Sequence, residues 1–120
     1  GDSNDAWTIT LNIPEGYDST GATEFWLEGY IDTVAGQIKY CVEYTGKGVS
    51  ENWNAAGVDI VCGDSVAVPS TANDLFRYCT VIENAKLQPN DMAAFKFRRE
   101  DSLPKDVVIV GVTMNYRRKD

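Results

Sequence analysis

Residues 7–13 read WTITLNI and run directly into residues 14–18, PEGYD. Large apolar side chains occupy every second position of the first segment, and threonine and asparagine fill the positions between them. This period of two predicts a half-buried β-strand, and the Pro/Gly cluster that follows ends it. The same period returns several times before Tyr116 without a competing helical period, so the chain is predicted to be all-β.

Further strand-like segments bring the total to about seven or eight, the number typical of an antiparallel β-sandwich or jelly roll. Because the connection between two of them is short, segments 24–31 and 37–44 are predicted to form a hairpin. The length of segment 107–116 predicts a strand in the middle of a sheet. The other segments lie at residues 58–61, 66–68, 75–82 and 93–99.

Alternation also predicts which side chains face the core and where the backbone departs from regularity. Gly29 inside a strand indicates a bulge or a close backbone approach. Asn73 or Asp74 is expected to cap a single turn, and Arg98 is expected to pair with Asp106 across the final hairpin. The predicted core residues are Trp7, Phe25, Leu27, Ile38, Tyr40, Val42, Phe95, Phe97, Val108, Val110 and Val112.

The length of 120 residues predicts a single domain over residues 1–120, with a flexible N-terminus at 1–5 and a basic tail at 117–120. A net charge of −7 disfavours nucleic acid as a partner. No segment approaches the ~18 apolar residues of a membrane span. The polar start does not resemble a signal peptide, and without an initiator Met the chain is expected to be trimmed or excised from something longer.

Three cysteines are present: Cys41, Cys62 and Cys79. An odd number without close spacing is a poor disulfide framework, so buried free thiols are expected, as in a reducing cytoplasm. One disulfide with one free thiol is the alternative. The chain has no histidine and no Cys-x-x-Cys spacing, so no zinc site and no cofactor are predicted.

The residue types argue against an enzyme. Without histidine, Ser-His-Asp and Cys-His catalysis are excluded in their usual form. Residues 45–48, TGKG, lack the spacing of a phosphate-binding loop. Calcium would have to bind among Asp59, Asp64 and Asp74, which do not have EF-hand spacing.

Carbohydrate binding is a competing hypothesis. Trp53 lies between Asn52 and Asn54 in a polar loop, and Trp26 and Tyr30 would extend an aromatic platform. The alternative is that Trp53 folds back to close one end of the sandwich, while Trp26 and Tyr30 pack between sheets or in an interface.

A basic cluster ends the chain: Arg117, Arg118 and Lys119. One interpretation is a solvated tail that keeps the edge of the last strand soluble. The other is a contact for an acidic partner surface.

Three motifs resemble those of β-sandwich structural proteins of tailed bacteriophage virions. The first is the strand end and turn at residues 13–18, IPEGYD, followed by Gly21. The second is GQIKYCV at residues 36–42. The third is a closing hairpin with Arg98 or Arg99 on one arm and Asp106, residues 111–112 and Tyr116 on the other. The family often has Asp-Thr where this chain has Asp-Val at 106–107.

The resemblance implies a jelly-roll-like, non-enzymatic domain that decorates or cements a capsid, or forms part of a tail or neck appendage. It further implies a homotrimer, bound to another virion protein such as the major capsid protein, in a virion assembled in the host cytoplasm. The competing function is a carbohydrate-binding module, acting alone or as the receptor-binding tip of an appendage.

Overall fold

The computed structural model describes residues 6–53, 59–82 and 87–118. Nine β-strands and no helix are present in these ranges, which confirms the all-β prediction. The expected flexible N-terminus at 1–5 lies outside the described residues. The strands are β1 (Ala6–Asn12), β2 (Thr23–Ile31), β3 (Gln37–Ile38), β4 (Tyr40–Lys47), β5 (Asp59–Cys62), β6 (Val66–Ala67), β7 (Phe76–Ile82), β8 (Met92–Arg99) and β9 (Val107–Tyr116).

Seven of these strands form two antiparallel sheets that pack face to face. One has the order β1-β8-β4-β5 and the other has the order β7-β2-β9. The short strands β3 and β6 pair separately. No helix among the described residues is long and apolar enough to cross a membrane.

Aromatic side chains from both sheets fill the core. The ring of Phe25 on β2 lies 4.6 Å from that of Phe95 and 5.6 Å from that of Phe97, both on β8. Tyr40 on β4 meets Tyr78 on β7 at 5.5 Å. Such edge-to-face and tilted contacts add to the burial of apolar area. The predicted core positions on β2, β3, β4 and β8 are buried as expected.

Strand pairing differs from both predicted hairpins. Strand β2 pairs with β7 and β9, whereas β4 pairs with β5 and β8. The chain therefore crosses between sheets after β2 and again between β8 and β9. The predicted strand 37–44 is divided at Lys39 into β3 and β4, and β9 is an edge strand rather than a central one.

A bulge in β9 overturns two predicted core residues. Glu28 is opposite Gly111 but Gly29 is opposite Ile109, which leaves Val110 as the extra residue. An added residue reverses the alternation of faces beyond it. Val108 and Val110 are consequently 42% and 59% exposed, whereas Ile109 and Val112 pack against the core. The predicted irregularity at Gly29 is confirmed.

Arg99 anchors the crossing from β8 to β9. Its guanidinium contacts the Asp101 carboxylate at 2.7 Å, and the two side chains are 1% and 7% exposed. It also donates to the carbonyl oxygens of Lys105 at 2.7 Å and Leu103 at 3.3 Å. The Asp101 carboxylate in turn accepts from the backbone N–H of Lys39. Buried charges of this kind are tolerated because each has a partner.

The expected Arg98–Asp106 pair is replaced by other partners. Arg98 contacts Glu43 on the neighbouring strand at 3.1 Å and Glu100 at 2.6 Å. Asp106 belongs to the connection that leads into the other sheet, so it is not across a hairpin from Arg98. The expected helical cap is also absent from the described residues: Asn73 takes a φ of 68° in a turn before β7.

Candidate interaction surfaces

Trp53 does not close an end of the sandwich. Its side chain lies in the loop after β4 and is 44% exposed. The Glu51 carboxylate shapes this loop by accepting from the backbone N–H of Gly48 at 2.7 Å. Trp53 is therefore a surface residue next to Asn52, while its other predicted companion, Asn54, lies outside the described residues.

Trp26 is not a free platform for a ligand. It is half-buried on the outer face of β2, with the Arg77 guanidinium 4.6 Å from its ring centroid. Its indole N–H is 3.4 Å from the Glu24 carboxylate. Because the guanidinium already covers the ring by a cation–π contact, the ring face is not open to a sugar.

Tyr30 lies at a shallow cleft at one end of the sandwich. The cleft has a volume of about 480 Å³, and its polar lining includes Asp32, Asn73, Lys105 and Asp106. Lys105 and Asp32 are 3.9 Å apart and both are largely exposed. The cleft therefore offers an exposed aromatic side chain, Tyr30, together with polar side chains.

The predicted aromatic residues are not brought together. Tyr30 is opposite Val108 near the start of β9, whereas the loop with Trp53 follows Lys47, which is opposite Met92 at the start of β8. That end of the sandwich also holds Tyr17, whose hydroxyl is 2.7 Å from that of Thr23. Trp53 and Tyr30 are thus at opposite ends and cannot form a single platform.

The sandwich has two lateral sides, which we call the closed side and the open side. The closed side is formed by the edge strands β5 and β7. A disulfide joins Cys41 on β4 to Cys62, directly opposite it on β5, and Cys79 is a free thiol. The expectation of three free thiols was wrong, because strand register places two distant cysteines side by side.

Tyr78 seals the closed side further. Its hydroxyl donates to the carbonyl oxygen of Asp64 at 2.7 Å, and a Cβ on Gly63 would lie only 2.6 Å from this hydroxyl oxygen. Burial raises the pKa of Tyr78 above its ordinary value of 10.0; the backbone contact with Tyr40 opposes this, and the charge of Asp64 adds to it. Backbone and side chain therefore pack closely where β5 meets β7.

The open side is formed by the edge strands β1 and β9. A groove of about 370 Å³ lies between them, lined by Trp7, Ile109, Val110, Gly111 and Val112. Trp7 stacks on Phe97 at 4.7 Å, so the floor of the groove is the margin of the core. A Cβ on Gly111 would meet no atom within 4 Å, which shows that space is open there.

The composition of the open side separates it from the rest of the molecule. Strands β1 and β9, AWTITLN and VVIVGVTMNY, contain no charged residue. Every other described strand of four or more residues contains at least one. The absence of charged residues from these two segments is visible in the sequence. It indicates an uncharged surface only once the structure shows that β1 and β9 are edge strands on the same side.

The basic tail is partly held against the body of the protein. Arg117 lies 3.3 Å from the Asp18 carboxylate, and its carbonyl oxygen accepts from the Asp18 backbone N–H. Arg118 forms an isolated bridge with Tyr17. Lys119 lies outside the described residues. The first two tail residues are thus attached to the turn that follows β1.

Acidic residues do not assemble into a metal site in the described part of the chain. No group of three or more His, Cys, Asp or Glu side chains there is arranged to hold an ion. Asp59 lies on β5, Asp64 in the connection to β6 and Asp74 just before β7.

Comparison with known proteins adds one similarity. No protein-family model and no curated protein matches the chain. A solved structure that does match is the "Structure of infectious bursal disease virus Gx strain", with 9% sequence identity and a TM-score of 0.32. The match covers 94% of this chain and 30% of that chain. A similarity of this size establishes neither a shared fold nor a shared function.

Proposed function

We propose that this chain is a non-enzymatic structural protein of a virion, namely a capsid decoration or cement protein of a tailed bacteriophage. In this role it forms a homotrimer and binds a second virion protein such as the major capsid protein. The observation that supports an assembly role is the open side, where two long edge strands without charge flank an apolar groove. Uncovered edges are usually protected by charged side chains, so an uncharged pair fits a surface that a partner covers.

Two further features agree with this role. The first is that the chain has no histidine, which the usual Ser-His-Asp and Cys-His catalytic groups require. The Cys41–Cys62 disulfide suits a particle that persists outside the cell, where disulfides are maintained.

Co-sedimentation with capsids tests the proposal. Capsids isolated from the virus whose genome encodes the chain, stripped of small surface proteins, are mixed with purified protein and pelleted. Saturable binding at a fixed ratio to the major capsid protein is expected, and light scattering of the free protein is expected to give a trimer. Absence of binding to the capsids overturns the proposal.

The second candidate function is carbohydrate binding, as a module or as the receptor-binding tip of an appendage. The exposure of Trp53, at 44%, is the observation that favours it. An exposed indole beside Asn52 has the composition of a sugar-binding loop. Glycan-array binding that is lost in Trp53→Ala but kept in Tyr30→Ala would assign the activity to this loop, whereas an array without signal would remove this candidate.

A further inference from the structure

We infer that the open side is the interface between copies of this chain, with Val110 of one copy seated in the groove beside Gly111 of the next. The inference rests on the proposed assembly role and identifies the surface that performs it. Val110 is on the rim of the groove and is 59% exposed. Each copy therefore carries both an apolar projection and an apolar recess on the same side.

Charge supports a second copy as the occupant. Two copies that each have a net charge of −7 repel one another overall, and like charges placed opposite each other across strands are destabilising. Both surfaces of the proposed contact, the rim of one copy and the groove of the next, belong to the open side, so the contact is least costly where this side is neutral. Strand β1 contributes seven residues and strand β9 contributes ten, and none of these 17 residues is charged.

The size of the surface is sufficient for self-association. A strand of ten residues spans ~33 Å, and two stacked sheets with their outer side chains are ~20 Å across, which gives about 700 Å² for each copy. Stable interfaces of standard size bury ~800 Å² per partner. The open side is therefore close to the area that such a contact needs.

The bulge at Val110 determines the kind of contact. Bulges interrupt the hydrogen-bonding edge of a strand and disfavour its extension by another strand. Side-chain packing of Val110 into the groove is therefore the main contact, rather than a continuous sheet. Around a threefold axis, the rim of each copy meets the groove of the next, which closes the ring.

Two substitutions test the contact, one on the rim and one in the groove. Val110→Glu places a charge on the rim, and Gly111→Gln fills the groove where the monomer has open space. Each is expected to weaken self-association by about 30-fold or more, as a central contact residue does. Ile60→Glu is the matched control, because Ile60 is an exposed β-branched residue, at 53%, on an edge strand of the closed side.

Sedimentation equilibrium at micromolar concentration measures association, and circular dichroism confirms that each variant is folded. The expected result is an assembled wild type and Ile60→Glu, with monomeric Val110→Glu and Gly111→Gln. A monomeric wild type, or a folded Gly111→Gln protein that assembles normally, overturns the inference.

Capsid binding separates the two proposals. Wild type that assembles through the open side but does not bind capsids refutes the virion role and leaves the interface intact. Wild type that binds capsids as a monomer overturns the interface and leaves the capsid role intact.

Discussion

The two lateral sides of the sandwich end their sheets in different ways. On the closed side, the Cys41–Cys62 disulfide fixes the short strand β5 to its neighbour, and the Tyr78 hydroxyl bonds across to Asp64. On the open side, strands β1 and β9 flank an apolar groove at the margin of the core. The closed side is completed within one chain, whereas the open side retains apolar surface that a second copy can cover.

The two sides also differ in which kinds of residue they contain. Charged residues occur on every long strand except the two that border the groove. Charge distribution is a surface property that does not determine the fold. A neutral edge on one side and a disulfide on the other therefore indicate different uses of the two sides.

The largest loss of stability is expected at Arg99, which bonds to the connection between β8 and β9. This connection positions β9 as the edge strand of the open side. Arg99→Met should destabilise the protein by ~3–5 kcal/mol, because it leaves the buried Asp101 carboxylate without its partner. Urea unfolding measures the change. Arg98→Met is the matched control: the side chains of Arg98, Glu43 and Glu100 are 34%, 26% and 39% exposed, so a much smaller loss is expected. Equal losses in both variants would show that the Arg99 network has no special role.

Removing the disulfide should loosen the closed side most. Cys41→Ser/Cys62→Ser opens a loop with a sequence separation of 21 residues, which corresponds to a loss of about 3 kcal/mol in the chain-entropy model. Because this loss lowers the free energy of global unfolding, amides that exchange only through global unfolding should accelerate in every strand. Exchange through local opening should accelerate at β5 and remain unchanged at β9. Faster local exchange at β9 as well would contradict the independence of the two sides.

Alkylation of the native protein provides a direct control for this pairing. Iodoacetamide should modify only Cys79 before reduction and all three cysteines after reduction and unfolding. Reaction at Cys79 should be slow, since burial first and the charge of Glu24 second raise the pKa of its thiol. Modification of three cysteines before reduction would show that the disulfide is absent.

Tyr78→Phe should have a smaller effect on the closed side, and one that depends on pH. Loss of the hydrogen bond to Asp64 should cost about 1 kcal/mol at neutral pH. Because the folded protein raises the pKa of Tyr78 above 10.0, the folded state favours the neutral phenol. Wild-type stability should therefore fall as pH rises from 10 through the folded pKa, and the difference from Tyr78→Phe should narrow.

Denaturant unfolding at several pH values measures this difference. Tyr44→Phe is the control for the hydrogen bond. Burial also raises the pKa of Tyr44, but Tyr44 does not bond to Asp64, so this variant removes a buried phenol without removing that bond. A wild-type advantage over Tyr78→Phe that grows above pH 10 would contradict the sign.

Local patterns in the sequence predicted the strands and most of the core, but not the pairing. Alternation identifies Phe95 and Phe97 as inward residues and, continued by two positions, also places Arg99 inward. The same rule fails at Val108 and Val110, since a bulge reverses the faces and a bulge cannot be located from one strand alone. The two predicted hairpins were wrong and the cysteines that pair could not be identified, because strand pairing and the disulfide both depend on which sheet each strand joins.

The smallest effect is expected at Trp53, in the loop that leads towards the closed side. Because its side chain is 44% exposed, Trp53→Ala should change the free energy of unfolding by no more than ~0.5 kcal/mol. Trp7→Ala is the matched control on the open side: it removes a ring stacked on Phe97 and should be clearly less stable in the same urea titration. A loss at Trp53 as large as that at Trp7 would mean that the loop packs against the core. A stable Trp53→Ala protein would instead show that the wild-type indole is not needed for folding. The same variant can then be used in the glycan-array comparison without a folding defect to confuse the result.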